Sequence, residues 1–523
     1  MELTYIAAAL VAAVGYVAYC AIWRLYFSPI AHFPGPKLAA LTSLYDMYYN
    51  IWLGGKYIWR IRDMHEKYGP IIRVSPWDLH VSDPEFHEVL YPSTSSGRRA
   101  DKEETLTKFF GLDDSLFSTM PHDLHKMRRT ALLPYFSTAY VRRLQPVLQE
   151  RLDVLLSRMK EYHDTDEPIN ANCMFAAYSN DITQMTSFGY CQQKIESPGF
   201  DPSDRDASLD GAQSFHILKR VPWMNEVLMP LPDWFNFFLS PALGAYMKQK
   251  KEIRARMAKL CATSMDEWEG QDTIPIFRSM QESSKLPAHE KLPARMAQDA
   301  QMLQMAGTLT MAYDMEHLTY WLCTYPDVLR KLKEELHSVM PSIDVVGKVP
   351  LTTLEALPYM TAVIKESIRL IYGNSTPHLR SCPDQALTYE DKKAGKTWVI
   401  PPGTPVGMSS VLLHHIEENF PDSYRFLPDR WLGEEGKKLD KYMVGFGKGS
   451  RICLGMNLAW GEVRLGLSQI WRLYATPEVA LGDEIGVLSL HNTTPYDVTL
   501  AGDFFIGKYN KPTGVEFKLK SRK

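Results

Sequence analysis

Residues 3 to 23 carry no charge and consist mostly of Ala, Val, Leu, Ile and Tyr. Coiled as a helix, such a run is about 31 Å long, enough to cross the apolar core of a bilayer. A cleaved signal peptide would have a shorter apolar stretch behind a basic start. Here Glu2 precedes the run and Arg24 follows it. That asymmetry predicts an uncleaved single-pass anchor over residues 1–24, with the bulk of the chain on the cytosolic side. In residues 25–40, Pro34 and Pro36 cannot continue a helix, so the segment reads as a stiff hinge. Apolar residues alternate around Ile71, Val74, Leu79 and Val81, which predicts a short β-hairpin. Helical periodicity dominates from about Leu124 to Met340. It is interrupted by residues 196–206, whose Pro, Gly and Asp read as a loop. Short strands are expected again between about Leu379 and Val411. No repeat or shift of composition divides residues 41–523, so the expected body is a single domain, mainly α with a small β portion.

The longest helical window lies between Pro293 and Pro326 and is broken only by Gly307. At helical rise it would span about 48 Å, long enough to cross the core of the domain. Met302, Ala306, Leu309, Thr310 and Tyr313 fall on roughly one face of it. Most such stripes simply pack.

Composition narrows the function. The chain is 45% hydrophobic and 23% charged, with a formal net charge of −3. It has no basic excess of the kind nucleic-acid binding requires. Seven cysteines are scattered without any CxxC spacing, which fits a reducing compartment and not a disulfide framework. That leaves room for one thiol with a special task.

Cys453 has the surroundings for such a task. In GFGKGSRICLGMNLAW, the residues Phe446, Gly449, Arg451, Cys453 and Gly455 follow the spacing FxxGxRxCxG. Five fixed positions coincide by chance in only about one chain in ten thousand of this length, at ordinary residue frequencies. The glycines allow a tight turn whose N–H groups point at one place, and a helix is expected from about Leu454. Its N-terminal dipole would favour an anion and so a thiolate. A thiolate axial ligand donates electron density to haem iron and favours O–O cleavage.

This segment resembles the haem-binding loop of the cytochrome P450 family, and further motifs resemble that family in the expected order over almost the whole chain. Glu366 and Arg369 in KESIRL look like its ExxR pair, and FPDSYRFLPDRW supplies a matching Arg430. The resemblance implies a buried structural network of these three behind the thiolate. In HDLHKMRRTALLPYFS, His125 and Arg129 are similar to a helix that binds a haem propionate in the family. Arg451 and Arg380 are further propionate partners by the same resemblance, and charge-assisted hydrogen bonds would orient the macrocycle. MAGTLTMAY resembles the oxygen-site motif, with Ala306, Gly307 and Thr310 in place. It departs from that motif at Leu309, where the family has an acid that helps relay protons, and at Met311, where it has a hydroxyl. Asp314, one turn further along, is expected to make a surface or interhelix contact.

Other phrases, among them FPGPKLAALTSLYDMYYN, resemble fungal members that oxidise terpenoids or other secondary metabolites. The implied protein binds one haem b through Cys453. It inserts one oxygen atom into a small apolar substrate, with electrons from NADPH through a separate reductase. No dinucleotide fingerprint is fused to this chain, and Lys448 is a candidate reductase contact. Residues 103–120 match the family's variable loop over the haem. Residues 221–239, with Trp234, Phe235, Phe237 and Phe238, would either dip into the membrane surface or pack in the core. The implied location is the endoplasmic reticulum membrane, and a cytosolic body leaves the sequons at Asn374 and Asn492 unglycosylated. Leu309 motivates an alternative, an oxygen-independent rearrangement or dehydration on the same haem. A haem sensor without turnover is a third reading.

Overall fold

The computed structural model describes residues 2–264, 268, 274–511 and 513–522. Its first helix, α1 (Glu2–Ile22), buries no residue, and the helical stretch Glu2–Phe27 is long and apolar enough to cross a membrane. The segment after it is docked, not free. The Pro34 carbonyl accepts from Arg73 N–H (2.7 Å), Arg73 Nη1 donates to the Arg24 carbonyl (2.7 Å), and the Phe33 ring stacks on Trp398 at 5.2 Å.

The body is mainly helical. Four helices concern the site directly: α2 (His122–Leu132), α3 (Ala171–Phe188), α4 (Ser203–Gln213) and α5 (Pro293–Thr324). Two more, α6 (Pro358–Ile371) and α7 (Met456–Leu473), complete its frame. Helix α5 is the expected central helix. It opens on Pro293, whose missing N–H costs nothing at that position, and ends before Tyr325, which Pro326 biases away from helix. Most of its residues are buried, as befits a helix with no single polar face. Its main partner is α3, which is itself buried almost throughout. Asn170 Oδ1 caps α3 by accepting from Cys173 N–H (2.9 Å), and Gly189 at φ +79° ends it. The interval expected to be a loop over 196–206 is shorter than predicted, because α4 already begins at Ser203. Asp204 and Asp206 in its first turn suit the helix dipole, and Lys194 pairs with Asp201 (2.6 Å) and Asp204 (3.2 Å).

The expected hairpin forms from β1 (Ile71–Arg73) and β2 (Leu79–Val81), with Ile71 opposite Val81. Three short strands extend it: β3 (Asp101–Lys102), β4 (Arg380–Ser381) and β5 (Val406–Gly407). The order across the sheet is β1-β2-β5-β4-β3. In a second, four-stranded sheet near the C-terminus, Gly486–His491 lies between Glu516–Ser521 and the strand at 474–475, and Glu516–Ser521 pairs on its other side with the strand at 169–170. The hairpin Leu500–Phe504 / Ile506–Tyr509 turns at Phe505. The sequence reading placed no strands in these C-terminal segments.

Behind the cysteine loop lies the expected network. The carboxylate of Glu366, on α6, accepts from Arg369 Nε (2.9 Å) and Nη2 (2.8 Å), Arg430 Nε (3.1 Å), Trp431 Nε1 (2.8 Å) and Leu427 N–H (3.0 Å). Arg369 Nη1 donates to the carbonyls of His414 (2.9 Å) and Ser423 (2.6 Å). His414 bonds back to the Arg369 carbonyl (2.8 Å) and accepts from Val444 N–H at its other ring nitrogen (3.1 Å). Glu366 and Arg369 are completely buried. Glu366→Ala should therefore strand two guanidinium groups and lower stability by about 3–5 kcal/mol, read as a shifted midpoint in urea denaturation.

Candidate active site

One cavity of about 340 Å³ collects nearly all the predicted site residues. Ala306, Gly307 and Thr310 line it from α5, and Phe446, Arg451, Cys453 and Gly455 from the cysteine loop. His125 and Arg129 come from α2, and Arg380 from β4. Gly449 lies outside the lining. Its φ is +73°, and a Cβ there would stand 2.4 Å from the Tyr91 carbonyl oxygen, so it shapes the loop without touching the cavity.

The cysteine loop is held by its own backbone. Gly447 N–H donates to the Val444 carbonyl (2.8 Å), Ile452 N–H to Gly449 (3.1 Å), and Cys453 N–H to Phe446 (2.9 Å). The following helix starts at Met456, two residues later than predicted, with Gly455 as its N-terminal cap. The Cys453 side chain is open to the cavity yet deep inside the protein. Burial pushes its thiol pKa above the usual value. The N–H groups of Gly455 and Met456 and the Arg129 charge oppose that but do not cancel it. The dipole effect expected from the sequence is present, but it is the smaller effect. A bound cation is what would complete the thiolate.

The same cavity has a cluster of cations. Arg451 donates through Nη1 to the Thr119 carbonyl and through Nη2 to that of Met120 (both 2.6 Å), leaving Nε without a partner. Arg380 donates to the Leu379 carbonyl (2.9 Å) and lies over the Tyr91 ring. Sequence reasoning missed Lys102. It stands directly opposite Arg380 in the β3–β4 ladder, with Nζ donating to the Phe117 carbonyl (2.5 Å) and lying 3.6 Å from the Phe117 ring centre. No motif marks Lys102, and its only signal is that strand register. Burial, then the neighbouring positive charges, holds Lys102 well below its usual pKa. Burial lowers Arg129 and Arg380 as well and brings Arg451 to about 9. Burial, followed by the same cations, also keeps His125 neutral at ordinary pH. Asp101 is the acid whose charge opposes this at Arg451. Among the described residues, none of the four cations is in a salt bridge. Like charges directly opposite in a sheet repel, and unpaired buried charge is costly. The arrangement suits a ligand with two carboxylates.

On α5, the Thr310 hydroxyl donates to the Ala306 carbonyl (2.7 Å). Leu309 and Met311 are buried. Asp314 makes the expected interhelix contact, accepting from the Ser367 hydroxyl on α6. The rest of the lining is largely apolar. Phe110 and Phe117 each meet Phe505 edge-on, with ring centres 5.4 and 5.5 Å apart. Phe505 reaches the cavity from its hairpin at φ +73°, an unusual conformation for an aromatic residue. Its N–H donates to Thr376 Oγ1 (3.1 Å), and its carbonyl accepts from Ser375 N–H (3.1 Å).

Residues 41–478 match the family model described as Cytochrome P450. The chain belongs to the cytochrome P450 family. It is 40% identical over 494 residues to the cytochrome P450 monooxygenase tpcC of Cochliobolus heterostrophus, covering 94% of this chain and 93% of that protein. It is 36% identical over 490 residues to the cytochrome P450 monooxygenase astB of Talaromyces wortmannii (92% and 91%). It is 35% identical over 487 residues to the tryptophan 6-hydroxylase fscE of Fusarium equiseti (93% and 91%). As a cytochrome P450 it is an oxidoreductase that incorporates oxygen, and its resemblance to fungal secondary-metabolism members holds at this level of identity. The family implies a haem-thiolate iron. The residues present fit that group: a buried thiol and unpaired cations line one apolar cavity.

Two buried acids in this lining give a test by pH. Burial raises Asp314 to about 7, against the opposing effect of its Ser367 bond, and raises Glu462 to about 8 against its bond from Ser179. Each keeps its proton in the folded state at pH values where the unfolded chain has lost it. Stability therefore falls as pH rises from about 4 through these values. For Asp314 the span corresponds to roughly 4 kcal/mol. Asp314→Asn should make the pH 4–7 limb of urea-denaturation stability shallower, leaving the slope of other acids that burial raises, among them Glu462, Glu316, Asp78 and Asp181.

Proposed function

We propose that the protein is a membrane-bound haem-thiolate monooxygenase that oxidises a small apolar secondary metabolite, a terpenoid or a compound of similar character. The observation that carries this reading is the union, in one apolar cavity, of Cys453 with the unpaired cations Lys102, Arg129, Arg380 and Arg451. Cys453 Sγ would ligate the iron of haem b. The four cations and His125 would hold its propionates. Bound there, the haem supplies oxygen activation. Thr310 presents a hydroxyl to the oxygen site, and Ala306 and Gly307 keep that stretch of α5 free of bulk. Phe110, Phe117, Phe505 and Met302 form an apolar enclosure that excludes water and favours a hydrocarbon-rich substrate. Glu366, Arg369 and Arg430 serve the scaffold.

Electrons would come from NADPH through a separate reductase that meets the surface near Lys448. The endoplasmic reticulum membrane is the proposed location, with α1 spanning it and the body in the cytosol. Trp234 and Phe238 are well exposed (70% and 80%), which supports membrane contact for residues 221–239 and counts against core packing of these two. Arg220, immediately before that segment, pairs with Asp46 (2.5 Å), which follows the hinge. Apolar substrate could thus enter from the bilayer side.

Cys453→Ser is expected to abolish the red-shifted carbon monoxide spectrum of thiolate-bound haem, and an unchanged spectrum would identify another ligand. Lys102→Met should keep that spectrum and weaken haem retention about tenfold, measured as haem transfer to excess apomyoglobin, since losing one partner of a charge-assisted contact costs roughly 1.5–3 kcal/mol. Leu309 favours a second reading, an oxygen-independent rearrangement. Incubation with terpenoid and polyketide precursors separates the two: product should appear only with NADPH and reductase, and turnover without them would establish the second reading.

A further inference from the structure

The cavity has one polar annex. Where α5 passes Gly307, the lining reaches the hydroxyls of Thr183 and Ser187 on α3 and Ser208 on α4. All three are buried, at 6%, 2% and 1% exposure. Among the described residues, Ser208 Oγ is buried without a hydrogen-bond partner, and Thr183 and Ser187 line the cavity beside it. Thr186, beside them, donates from Oγ1 to the Ile182 carbonyl of its own helix (3.0 Å).

A buried hydroxyl left unpaired costs about 1–3 kcal/mol, so Ser208, next to two further hydroxyls in one accessible pocket, calls for ordered water. Gly307 sets where that water meets α5. A Cβ at this position would lie 2.8 Å from Thr183 Oγ1, so glycine keeps a notch open between the two helices. Thr310 follows three residues later. Neighbours at that spacing have Cβ atoms about 5–6 Å apart, a gap that one water bridges. Leu309, between them in sequence, has no proton to give.

We propose that Thr183, Ser187 and Ser208 hold a short file of water that reaches Thr310 through the Gly307 notch. This water is the proton supply to the oxygen site, in place of the carboxyl that Leu309 lacks. Thr183 is a positioning residue in this scheme. It orients the water, and Thr310 passes the proton on. The inference rests on haem occupying the cavity.

The balance of oxygen reduction tests it without any organic substrate. Dioxygen with two electrons and two protons leaves as hydrogen peroxide. With four of each it becomes two waters, and NADPH supplies two electrons per molecule. Starving the oxygen site of protons shifts the outcome toward peroxide. The full-length haem-loaded protein is assayed with NADPH and NADPH-cytochrome reductase, measuring hydrogen peroxide formed per NADPH oxidised. A positioned proton donor is worth roughly 10²–10⁴-fold, so even partial loss in Thr183→Val should raise the peroxide-to-water ratio about threefold or more. Ser187→Ala, which adds no bulk, should raise it in the same direction, and Thr183→Ser should restore the wild-type ratio. A second readout is the C–O stretch of the carbon monoxide adduct. Its shift between H₂O and D₂O should shrink in Thr183→Val and persist in Thr183→Ser. The carbon monoxide spectrum of each sample separates loss of haem from loss of the water file. An unchanged ratio in both Thr183→Val and Ser187→Ala overturns the proposal. So does a Thr183→Ser protein that behaves like Thr183→Val, because shape and not the hydroxyl would then matter.

Discussion

The carboxylate of Glu366 anchors the half of the molecule that lies behind the cysteine loop. It accepts five hydrogen bonds, from two arginines, an indole and a backbone N–H. Its main partner, Arg369, reaches three carbonyls in the segment after β5, and His414 carries the connection on to Val444. Val444 accepts the Gly447 N–H that closes the first turn of the cysteine loop. The thiol's position is thus specified from behind by charge-assisted bonds in a dry interior, where such bonds are strong and where a missing partner is severe. A loop rich in glycine could not hold that position alone.

On the cavity side the forces are different. The walls are aromatic and aliphatic, so they define shape and dryness but little direction. Direction comes from a few polar features: the cations near Arg380, the hydroxyl of Thr310, and the hydroxyls beyond Gly307. Placing these on separate elements lets each be tuned alone. The cysteine loop and the Glu366 network resemble family motifs, whereas the sequence around Leu309 departs from the motif it resembles.

The legible parts of the sequence were those whose chemistry is local. The spacing around Cys453, the 32-residue window of α5 and the hairpin at 71–81 depend on neighbours in the chain, and each forms where its pattern placed it. Lys102 was not legible, because its partner Arg380 lies 278 positions away and only strand register brings them together. The hydroxyls of α3 and α4 were hidden for the same reason: a serine in a helix is ordinary until a cavity opens on it. The start of α7 and the start of α4 were misplaced by a few residues, the usual fate of helix ends, where capping decides. The thiol pKa was misjudged in sign, since burial is a tertiary quantity that the loop's N–H groups only partly offset.

The pairing of Lys102 with Arg380 bears on folding. Two basic side chains stand opposite each other across β3 and β4 inside the protein, where burial and mutual repulsion disfavour charging both. Closing that edge of the sheet is unfavourable for the polypeptide alone and becomes favourable with a dianionic partner in place. A ligand that binds only the closed form stabilises it by mass action. Ordering of this edge and binding of a dianionic ligand are therefore coupled, each favouring the other.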